Sequence, residues 1–293
     1  MPERDAEVIV VGAGPAGSTV AARLADAGHR VLLLDKASFP RHKACSDYVS
    51  PAGEPILAEL GVLDEIVAAG ASRMPGMAVQ APSGGRFLVD FAGVEPGRAA
   101  IGLRRWHLDR ILLDRARCAG VEIVERAHVR DLVTEDGHAT GVEATIDGGR
   151  ETFHAPLVIG ADGHSSAVAR ALGLDIPWRW PRKTALAAHY RGVTGLDRCG
   201  EMHVGRGAYA GLAILEGGLV NLTVVVPTDA LKARTGSLED AFAAAIQSLP
   251  GIAARVEGAE RLGPIRGVGP MGRRARRVAG NGWLLVGDAA SFL

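Results

Sequence analysis

The stretch VIVVGAGPAGSTVAARLADAG, residues 8–28, decides the fold of this chain. It opens at 8–11 with apolar, β-branched residues, which are typical of a strand buried on both faces of a sheet. A glycine-rich loop follows at 12–17, and then a segment with helical spacing of apolar residues. The predicted buried face of that helix consists of Val20, Leu24 and Ala27. Gly28 stands where glycine commonly ends a helix, so the stretch predicts strand, loop and helix in that order.

A second buried strand is predicted directly afterwards, in RVLLLDK at 30–36, and it ends at Asp35. In a dinucleotide-binding unit, Gly12 permits the tight turn, Gly14 lets the backbone approach a pyrophosphate, and Gly17 lets helix and strand pack closely. Free N–H groups at the helix start bind the diphosphate. Asp35 would accept hydrogen bonds from the adenosine ribose. These residues predict a dinucleotide site, without deciding between FAD and NAD(P).

A middle stretch, LVIGADGHSSAVARAL at 157–172, has a comparable design. It predicts a buried strand, a turn at Asp162-Gly163, and a helix capped by Ser165 or Ser166. On its own it has an equally ordinary interpretation as a strand-to-helix turn.

The last stretch, GWLLVGDAASFL at 282–293, predicts a strand followed by the first turn of a helix, with Gly287-Asp288 at the start of that turn. There the Asp288 carboxylate can accept a bond from a ribityl hydroxyl, and the positive helix end favours the negative charge of a reduced flavin. The alternative interpretation is a helix N-cap. An isolated turn cannot hold itself, so either something bound ties it down or the chain is a fragment.

Taken in order, the three stretches resemble the flavoprotein hydroxylase superfamily, with its glycine fingerprint, middle Asp-Gly motif and late Gly-Asp motif. That superfamily includes p-hydroxybenzoate-hydroxylase-like monooxygenases, flavin-dependent halogenases and the geranylgeranyl reductase family. Residues 39–51, FPRHKACSDYVSP, most resemble the geranylgeranyl-reductase-like branch, which has a Lys-x-Cys-Gly stretch here. Residues 103–123, LRRWHLDRILLDRARCAGVEI, are similar to its Arg-x-x-Leu-Asp helix and place that arginine at Arg105. The resemblance runs along essentially the whole chain.

The resemblance implies FAD as cofactor, reduced by NAD(P)H or by another electron donor. The nine histidines and three cysteines show no His-Glu-x-x-His or Cys-x-x-Cys spacing, so no metal site is expected. Asp162 would lie near the pyrophosphate, and Cys45, the catalytic candidate, would sit at the face of the isoalloxazine ring. The residues implied to contact the cofactor are Gly12, Gly14, Pro15, Ala16, Gly17, Asp35, Lys36, Arg105, Val129, Asp162, Gly163, Gly287 and Asp288.

This chain departs from the family pattern in three respects. Ser46 and Ser291 stand where the family usually has glycine, and each adds a Cβ where the backbone would approach the flavin. The Asp-Pro and Gly-x-Gly stretch that follows in relatives, and the long helical region after it, do not occur in this sequence. We therefore expect a chain truncated at its C-terminus.

Composition excludes several classes of protein. The 293 residues suggest two domains, and 47% hydrophobic with 23% charged residues is usual for a globular protein. Lys plus Arg equals Asp plus Glu at 33 each, so no net field draws the chain to nucleic acid. Three dispersed cysteines argue for a reducing compartment, and no apolar run is long enough to span a membrane. A cytoplasmic protein is expected, with peripheral membrane contact open and the oligomeric state undetermined.

Between the motifs the sequence predicts a second domain. Ser83-Gly84-Gly85 marks a hairpin, residues 183–226 contain several strands with a tight turn at Gly217-Gly218, and 237–249 form a capped helix. The predicted fold class is α/β, a Rossmann-like FAD-binding domain with an inserted antiparallel β-sheet (α+β) substrate domain. Residues 1–72, 98–177 and 265–293 would form the FAD-binding domain, and 73–97 with 178–264 the substrate domain.

The predicted function is reduction of C=C bonds in a small apolar substrate, prenyl or polyketide-like, by hydride from reduced flavin. An NAD(P)H- and FAD-dependent monooxygenase is the main alternative, because both classes share the three motifs. A non-catalytic, truncated remnant and a plain NAD(P)-dependent dehydrogenase are further alternatives. Trp178-x-Trp180-Pro181 is similar to a halogenase motif, but it follows Asp162-Gly163 too closely and the halogenase Gly-Glu-Ser is absent. Halogenation is therefore disfavoured.

Overall fold

The computed structural model describes residues 6–93, 95–177, 182–232 and 236–292. The strands are β1 Val8–Val11, β2 Val31–Leu34, β3 Tyr48–Val49, β4 Ser72–Met74, β5 Gly76–Gln80, β6 Arg86–Asp90, β7 Ala100–Gly102, β8 Glu122–Val124, β9 His128–Glu135, β10 His138–Ile146, β11 Gly149–His154, β12 Leu157–Gly160, β13 Asp175–Pro177, β14 Lys183–Arg191, β15 Gly200–Val204, β16 Tyr209–Ile214, β17 Val220–Pro227, β18 Glu260–Val268, β19 Arg273–Ala275, β20 Ala279–Gly280, β21 Trp283–Leu285 and β22 Ser291–Phe292. The helices are α1 Pro15–Asp26, α2 Glu54–Glu59, α3 Leu63–Ala68, α4 Arg105–Cys118, α5 Ala167–Ala171, α6 Thr228–Lys232, α7 Leu238–Gln247 and α8 Pro250–Val256. Among these helices, none combines the length and hydropathy needed to cross a bilayer.

The chain folds into two compact units. Unit 1 comprises residues 1–41, 108–180 and 272–293, and unit 2 comprises residues 42–107 and 181–271. Residues 42–72, 98–107 and 265–271 thus belong to unit 2, whereas the predicted division assigned them to the FAD-binding domain. Which unit performs which function stays a prediction.

Unit 1 is built on a six-stranded sheet in the order β20-β21-β12-β1-β2-β8. All neighbours are parallel except β20 and β21. The central strand β1 is buried along its whole length, as its β-branched composition predicts. The strand order reverses direction at β1, because β2 lies on one side of it and β12 on the other. The predicted Rossmann-like α/β architecture is confirmed.

Helix α1 packs on this sheet through smaller residues than the sequence predicted. Its buried residues are Gly17, Ser18, Ala21 and Ala22. The predicted face was wrong, since Val20 and Leu24 are half-buried and Ala27 is exposed. Small side chains let the helix axis approach the sheet closely, which larger residues on that face would prevent. The predicted end is right, because the helix stops at Asp26 and Gly28 has φ +91°.

Unit 2 is built on a seven-stranded sheet in the order β18-β14-β17-β16-β15-β5-β6. It is antiparallel except for β15 and β5. Both predicted turns are present: β5 and β6 form the hairpin, and Gly217-Gly218 joins β16 to β17 with positive φ at both glycines. Helices α7 and α8 cover one face, where Phe242 and Ile252 pack on the sheet's apolar side chains.

The predicted helix at 237–249 is present as α7, with the Ser237–Asp240 capping box. Helical spacing predicts an apolar face of Leu238, Phe242, Ile246 and Leu249; the last three are buried, whereas Leu238 is exposed. Leu238 is the first residue of the helix, and the buried residues begin at Ala241, one turn later.

The predicted helix start at Gly287-Asp288 was wrong. Residues 287–289 make a single 3₁₀ turn, and the chain then enters strand β22. Strand β22 pairs with β19, so its backbone groups find partners that one helical turn would leave unsatisfied. The Trp178-x-Trp180-Pro181 segment lies outside the described residues.

A buried carboxylate ties the strands of unit 2 to helix α8. Glu201 is 2% exposed and accepts hydrogen bonds from Arg255 at 2.9 and 3.0 Å and from His203 at 2.8 Å. Arg86 approaches it at 3.2 Å. Burial raises the pKa of Glu201, but the bonds from His203 and Arg255 outweigh burial and lower that pKa to about 2.

We predict that Glu201→Gln lowers the free energy of unfolding by about 3 kcal/mol at pH 7, because it replaces the buried carboxylate that accepts from Arg255 and His203 by a neutral amide. The folded pKa is lower than the unfolded one, so this contribution is complete above about pH 4.5 and declines as the pH falls toward about 2. Urea unfolding between pH 7 and pH 3 measures it. The control is Glu95→Gln, which breaks an exposed pair with Arg98 and is expected to cost under about 1 kcal/mol. A pH-independent loss in Glu201→Gln would contradict this account.

Candidate functional site

Neighbouring strands of unit 1 carry the predicted motif residues at one edge of the sheet. Gly12 follows β1, Asp35 follows β2, Asp162 follows β12 within two residues, and Gly287 follows β21 within two residues. These strands are parallel and adjacent, so their carboxyl ends meet at the same edge. In open α/β sheets this edge, at the point where the strand order reverses, is where ligands bind.

The glycine loop is packed too closely for side chains. Gly12 has φ +100°, and a Cβ there would lie 2.6 Å from the carbonyl oxygen of Ala161. A Cβ on Gly17 would overlap the carbonyl oxygen of Gly12. The tight turn and the close helix packing expected of these two glycines are therefore present. Both positions require glycine for steric reasons that are independent of any ligand.

Helix α1 begins with an N-terminus suited to an anion. Gly14 is its N-cap, Pro15 is its first residue, and no side chain in the described part of the chain caps it. The first-turn N–H groups of a helix have no partner within the helix, and their positive ends attract negative charge. A pyrophosphate is the natural partner for such a terminus.

Asp35 braces the glycine loop from the end of β2. Its buried carboxylate accepts the N–H of Ala13 at 2.7 Å through Oδ2 and the N–H of Ala37 at 2.8 Å through Oδ1. Sequence reasoning gave Asp35 only a ribose-binding role and missed this bracing. Each oxygen retains acceptor capacity beyond these bonds. Of the other residues predicted for the cofactor, Lys36 is exposed and Val129 is buried in the apolar core of the unit.

Asp162 has one satisfied and one unsatisfied oxygen. Oδ2 accepts the N–H of Ala167 at 2.6 Å and so helps to cap α5, whose N-cap is Ser166 rather than Ser165. Oδ1 is buried and has no hydrogen-bond partner among the described residues. A buried unsatisfied acceptor costs free energy, and an unseen donor is the usual explanation. The Cα of Asp162 lies against the glycine loop, 2.7 Å from where a Cβ of Gly12 would stand.

The late motif lies against the first turn of α1. Gly287 has φ +58°, and a Cβ there would be 2.8 Å from the Cβ of Ala16. Asp288 is exposed beside it. The structure therefore brings all three motifs together within unit 1, with an uncapped helix end and an orphaned acceptor among them. These features fit the dinucleotide part of FAD.

We predict that Asp162→Asn weakens FAD binding by about tenfold while leaving the stability of the apoprotein unchanged. The amide oxygen can keep the cap on Ala167, whereas its NH₂ group replaces the acceptor Oδ1 by a donor. Ser166→Ala is the matched control, because Ser166 caps the same helix through Ala169 at 2.9 Å. That control is expected to lose about 1 kcal/mol of stability with no change in FAD affinity. Fluorescence titration with FAD and urea unfolding separate the two effects; equal FAD affinities in both variants and the wild type would refute a role for Oδ1.

Unit 2 contains a cleft that is open to solvent. Two predicted site residues, Cys45 and Arg105, line it. The remaining lining residues are His42, Lys43, Ala44, Asp47, Arg104, Trp106, Ala187, Ala188, His189, Asn221 and Arg266. The wall is apolar along the alanines and Trp106, and it is cationic at one lysine and three arginines.

Asp47 organises this cleft, and sequence reasoning missed it. It is 4% exposed and has φ +54°, a conformation that non-glycine residues seldom adopt. Its Oδ1 accepts the N–H of Arg105 at 3.0 Å, and its Oδ2 accepts Nδ2 of Asn221 at 2.7 Å. His189 Nε2 is 2.6 Å from the same Oδ2. Because a carboxylate only accepts, Nε2 carries the proton and Nδ1 is the ring nitrogen left for a ligand.

Asn221 also fixes the backbone of the predicted catalytic residue. Its Nδ2 donates to the carbonyl oxygen of Cys45 at 2.8 Å, and Thr223 donates to its Oδ1 at 2.8 Å. Asp47 lies two residues after Cys45, so its place within the 39–51 stretch was the only sequence feature that could have marked it as a site residue. His189 is 142 residues away and Asn221 is 174 residues away, and no local pattern marks either.

The cations of the cleft act on His42. Burial lowers the pKa of His42, and positive charge at Arg266, His189 and Arg104 lowers it further. The His42 ring stacks against Trp106 with ring centroids 4.7 Å apart. Arg104 is itself held by Glu216, whose carboxylate accepts both its side chain and its backbone N–H.

Comparison with known proteins identifies the relatives of this chain. Residues 5–292 match the family described as "FAD binding domain". The chain is 33% identical to digeranylgeranylglycerophospholipid reductase 2 of Methanopyrus kandleri, over 97% of this chain and 70% of that protein. It is 30% identical to the menaquinone reductase of Mycolicibacterium smegmatis, over 98% of this chain and 70% of that protein.

Solved structures of similar fold include flavin-dependent halogenases. The structure of a myxobacterial chondrochloren halogenase, a FAD-dependent enzyme, superposes with a TM-score of 0.93 and 28% identity. That superposition covers 99% of this chain and 70% of the halogenase chain. The likeness supports the α/β architecture described above, with its parallel sheet and separate antiparallel sheet.

Proposed function

Since this chain belongs to the FAD-binding domain family and is a FAD-dependent oxidoreductase, we propose that it reduces C=C bonds of an apolar, prenyl or polyketide-like substrate. The observation that most supports this proposal is the cleft of unit 2, where Cys45 and the Asp47–His189 pair lie beside an alanine-lined wall. The segment that places Cys45 there is the one that resembles the geranylgeranyl-reductase-like branch. The two curated relatives named above, both at 30% identity or more, are named as reductases.

The FAD would be held in unit 1 at the carboxyl edge of the parallel sheet. The N–H groups at the start of α1 would bind its pyrophosphate, and Asp35 its ribose. Asp162 would supply the acceptor Oδ1, and Asp288 would contact the ribityl chain. When bound and reduced by NAD(P)H, FAD supplies the hydride that the protein itself cannot provide.

The residues of the cleft would supply the proton. Addition of a hydride to one carbon of a C=C bond needs a proton at the other carbon, so that one H⁻ and one H⁺ together give CH–CH. His189 would donate a proton from Nδ1 to that carbon and would then regain one from solvent. Asp47 orients the ring through Nε2, and Asn221 holds Asp47.

The test begins with the visible spectrum of the protein after incubation with FAD and desalting. Retained flavin bands are the expected result. Anaerobic turnover with NAD(P)H and a prenyl lipid is then expected to give a product heavier by two hydrogens, with one deuterium incorporated when the reaction is run in D₂O. We predict that His189→Gln lowers the rate of this step by about 10²–10³ without releasing flavin. His29→Gln, at an exposed histidine in unit 1, is the control.

The alternatives give different products in the same assay. A product that gains oxygen, and forms only in air, identifies a monooxygenase. A halogenated product in the presence of bromide or chloride identifies a halogenase, an outcome that the similarity to the chondrochloren enzyme makes worth measuring. A protein that never retains flavin is a non-catalytic remnant or an NAD(P)-dependent dehydrogenase, and either result overturns the reductase proposal.

We place the protein in the cytoplasm, with peripheral contact to membranes where apolar substrates reside. The balanced charge, 33 basic and 33 acidic residues, provides no general attraction to nucleic acid. The free cysteines Cys45, Cys118 and Cys199 suit a reducing compartment.

A further inference from the structure

Strand β6 is the open edge of the seven-stranded sheet in unit 2. It occupies the last position in the strand order, and β5 is its only partner among the described strands. Every residue of β6 is exposed, with Phe87 at 57%, Leu88 at 61% and Val89 at 39%. An exposed apolar edge strand offers unpaired backbone groups to another chain, and proteins normally protect it.

The hairpin fixes which backbone groups point outward. Ala81 donates to the carbonyl of Gly85 at one end of the hairpin, and Phe91 donates to the carbonyl of Pro75 at the other. Hydrogen-bonded and non-hydrogen-bonded pairs alternate along an antiparallel ladder, and these two bonds place Ala81–Gly85 and Pro75–Phe91 among the hydrogen-bonded pairs. Phe87 and Val89 therefore also lie in hydrogen-bonded pairs, and their N–H and C=O groups point toward β5. The N–H and C=O groups of Arg86, Leu88 and Asp90 therefore point away from the sheet.

The sequence of β6, RFLVD, is complementary to itself when two copies run antiparallel. With Leu88 opposite Leu88 of the second copy, Arg86 lies opposite Asp90 and Phe87 opposite Val89. The outward-pointing groups of Arg86, Leu88 and Asp90 then face each other as bonded pairs. Opposite charges at directly paired positions stabilise a sheet.

Other registers lack this complementarity. Sliding the pairing by two residues places Leu88 opposite Arg86 or Asp90. Sliding it by four residues places Arg86 opposite Arg86, or Asp90 opposite Asp90, and like charges in these positions repel. The two end charges thus select one register and one strand direction.

We propose that β6 pairs with β6 of a second copy of this chain across a two-fold axis, joining the two seven-stranded sheets. The apolar face of the edge supports this partner: Phe87 and Val89 share a face with Met77 and Val79, which they oppose on β5. Arg86 can donate to Asp90 of the second copy while it donates to Glu201, because its side chain is 47% exposed and has five N–H donors.

The first test compares the mass of the protein in solution by light scattering and sedimentation over a wide concentration range. The wild type is expected to be dimeric. Leu88→Lys places two lysines against each other on the axis and is expected to raise the dimer dissociation constant about 100-fold. Val67→Lys is the matched control, because Val67 is an apolar residue of unit 2 with 49% exposure and lies in α3. A monomeric wild type, or a dimer that survives Leu88→Lys, overturns the proposal.

The second test uses charge reversal. Arg86→Glu alone and Asp90→Lys alone each oppose like charges in the homodimer, so each variant is expected to be monomeric. In a mixture of the two variants, the introduced glutamate of one copy faces the introduced lysine of the other, and the remaining Asp90 faces the remaining Arg86. The mixture is therefore expected to restore a dimer that contains one copy of each variant.

Failure of the mixture to associate refutes the register. The melting temperature of each variant verifies folding. Leu88→Lys decides the question alone if Arg86→Glu, which also loses its contact with Glu201, does not fold.

Discussion

The close packing between the glycine loop and the start of the β12–α5 connection is the constraint on which unit 1 depends. Gly12 lies so near Ala161 and Asp162 that a single Cβ would collide with backbone, and Gly17 lies equally close to Gly12. This contact places the N-terminus of α1 beside Asp162, while Asp35 holds the loop from the other side through Ala13. The close packing of this edge therefore depends on the absence of side chains at Gly12 and Gly17, because a Cβ at either position would displace the neighbouring backbone.

Unit 2 depends on a different constraint, the burial of a carboxylate. Asp47 occupies a nearly closed position in which Arg105, Asn221 and His189 all donate to its side chain. A buried charge without such donors would cost several kcal/mol. The same bonds fix Cys45, hold Asp47 in a left-handed backbone conformation and fix the tautomer of His189, so structural stability and chemical positioning arise from one network.

In the function proposed above, the two units divide the chemistry between them. Unit 1 provides backbone donors and carboxylate acceptors, which suit a phosphate-linked nucleotide. Unit 2 provides an apolar wall with cations and one oriented imidazole, which in the proposed reaction would meet a largely hydrocarbon substrate and give it a proton. The buried Glu201 cluster serves neither task and instead ties β15 to α8, at a position where an unpaired charge would be costly.

The architecture of unit 1 and the geometry of its glycine loop could be predicted from the amino-acid sequence, because their signals are local. Glycines at 12 and 17, an uncapped helix start and an acid after β2 lie within thirty residues, and their tasks follow from backbone geometry alone. The remaining features emerged only from the folded chain. In the folded chain α1 packs through Ala21 and Ala22, and residues 287–289 form a 3₁₀ turn that leads into strand β22. Folding also joins Asp47 to His189 and Asn221, which are neighbours only because β14 pairs with β17. Such pairings depend on strand register across long loops, and no short stretch of sequence specifies them.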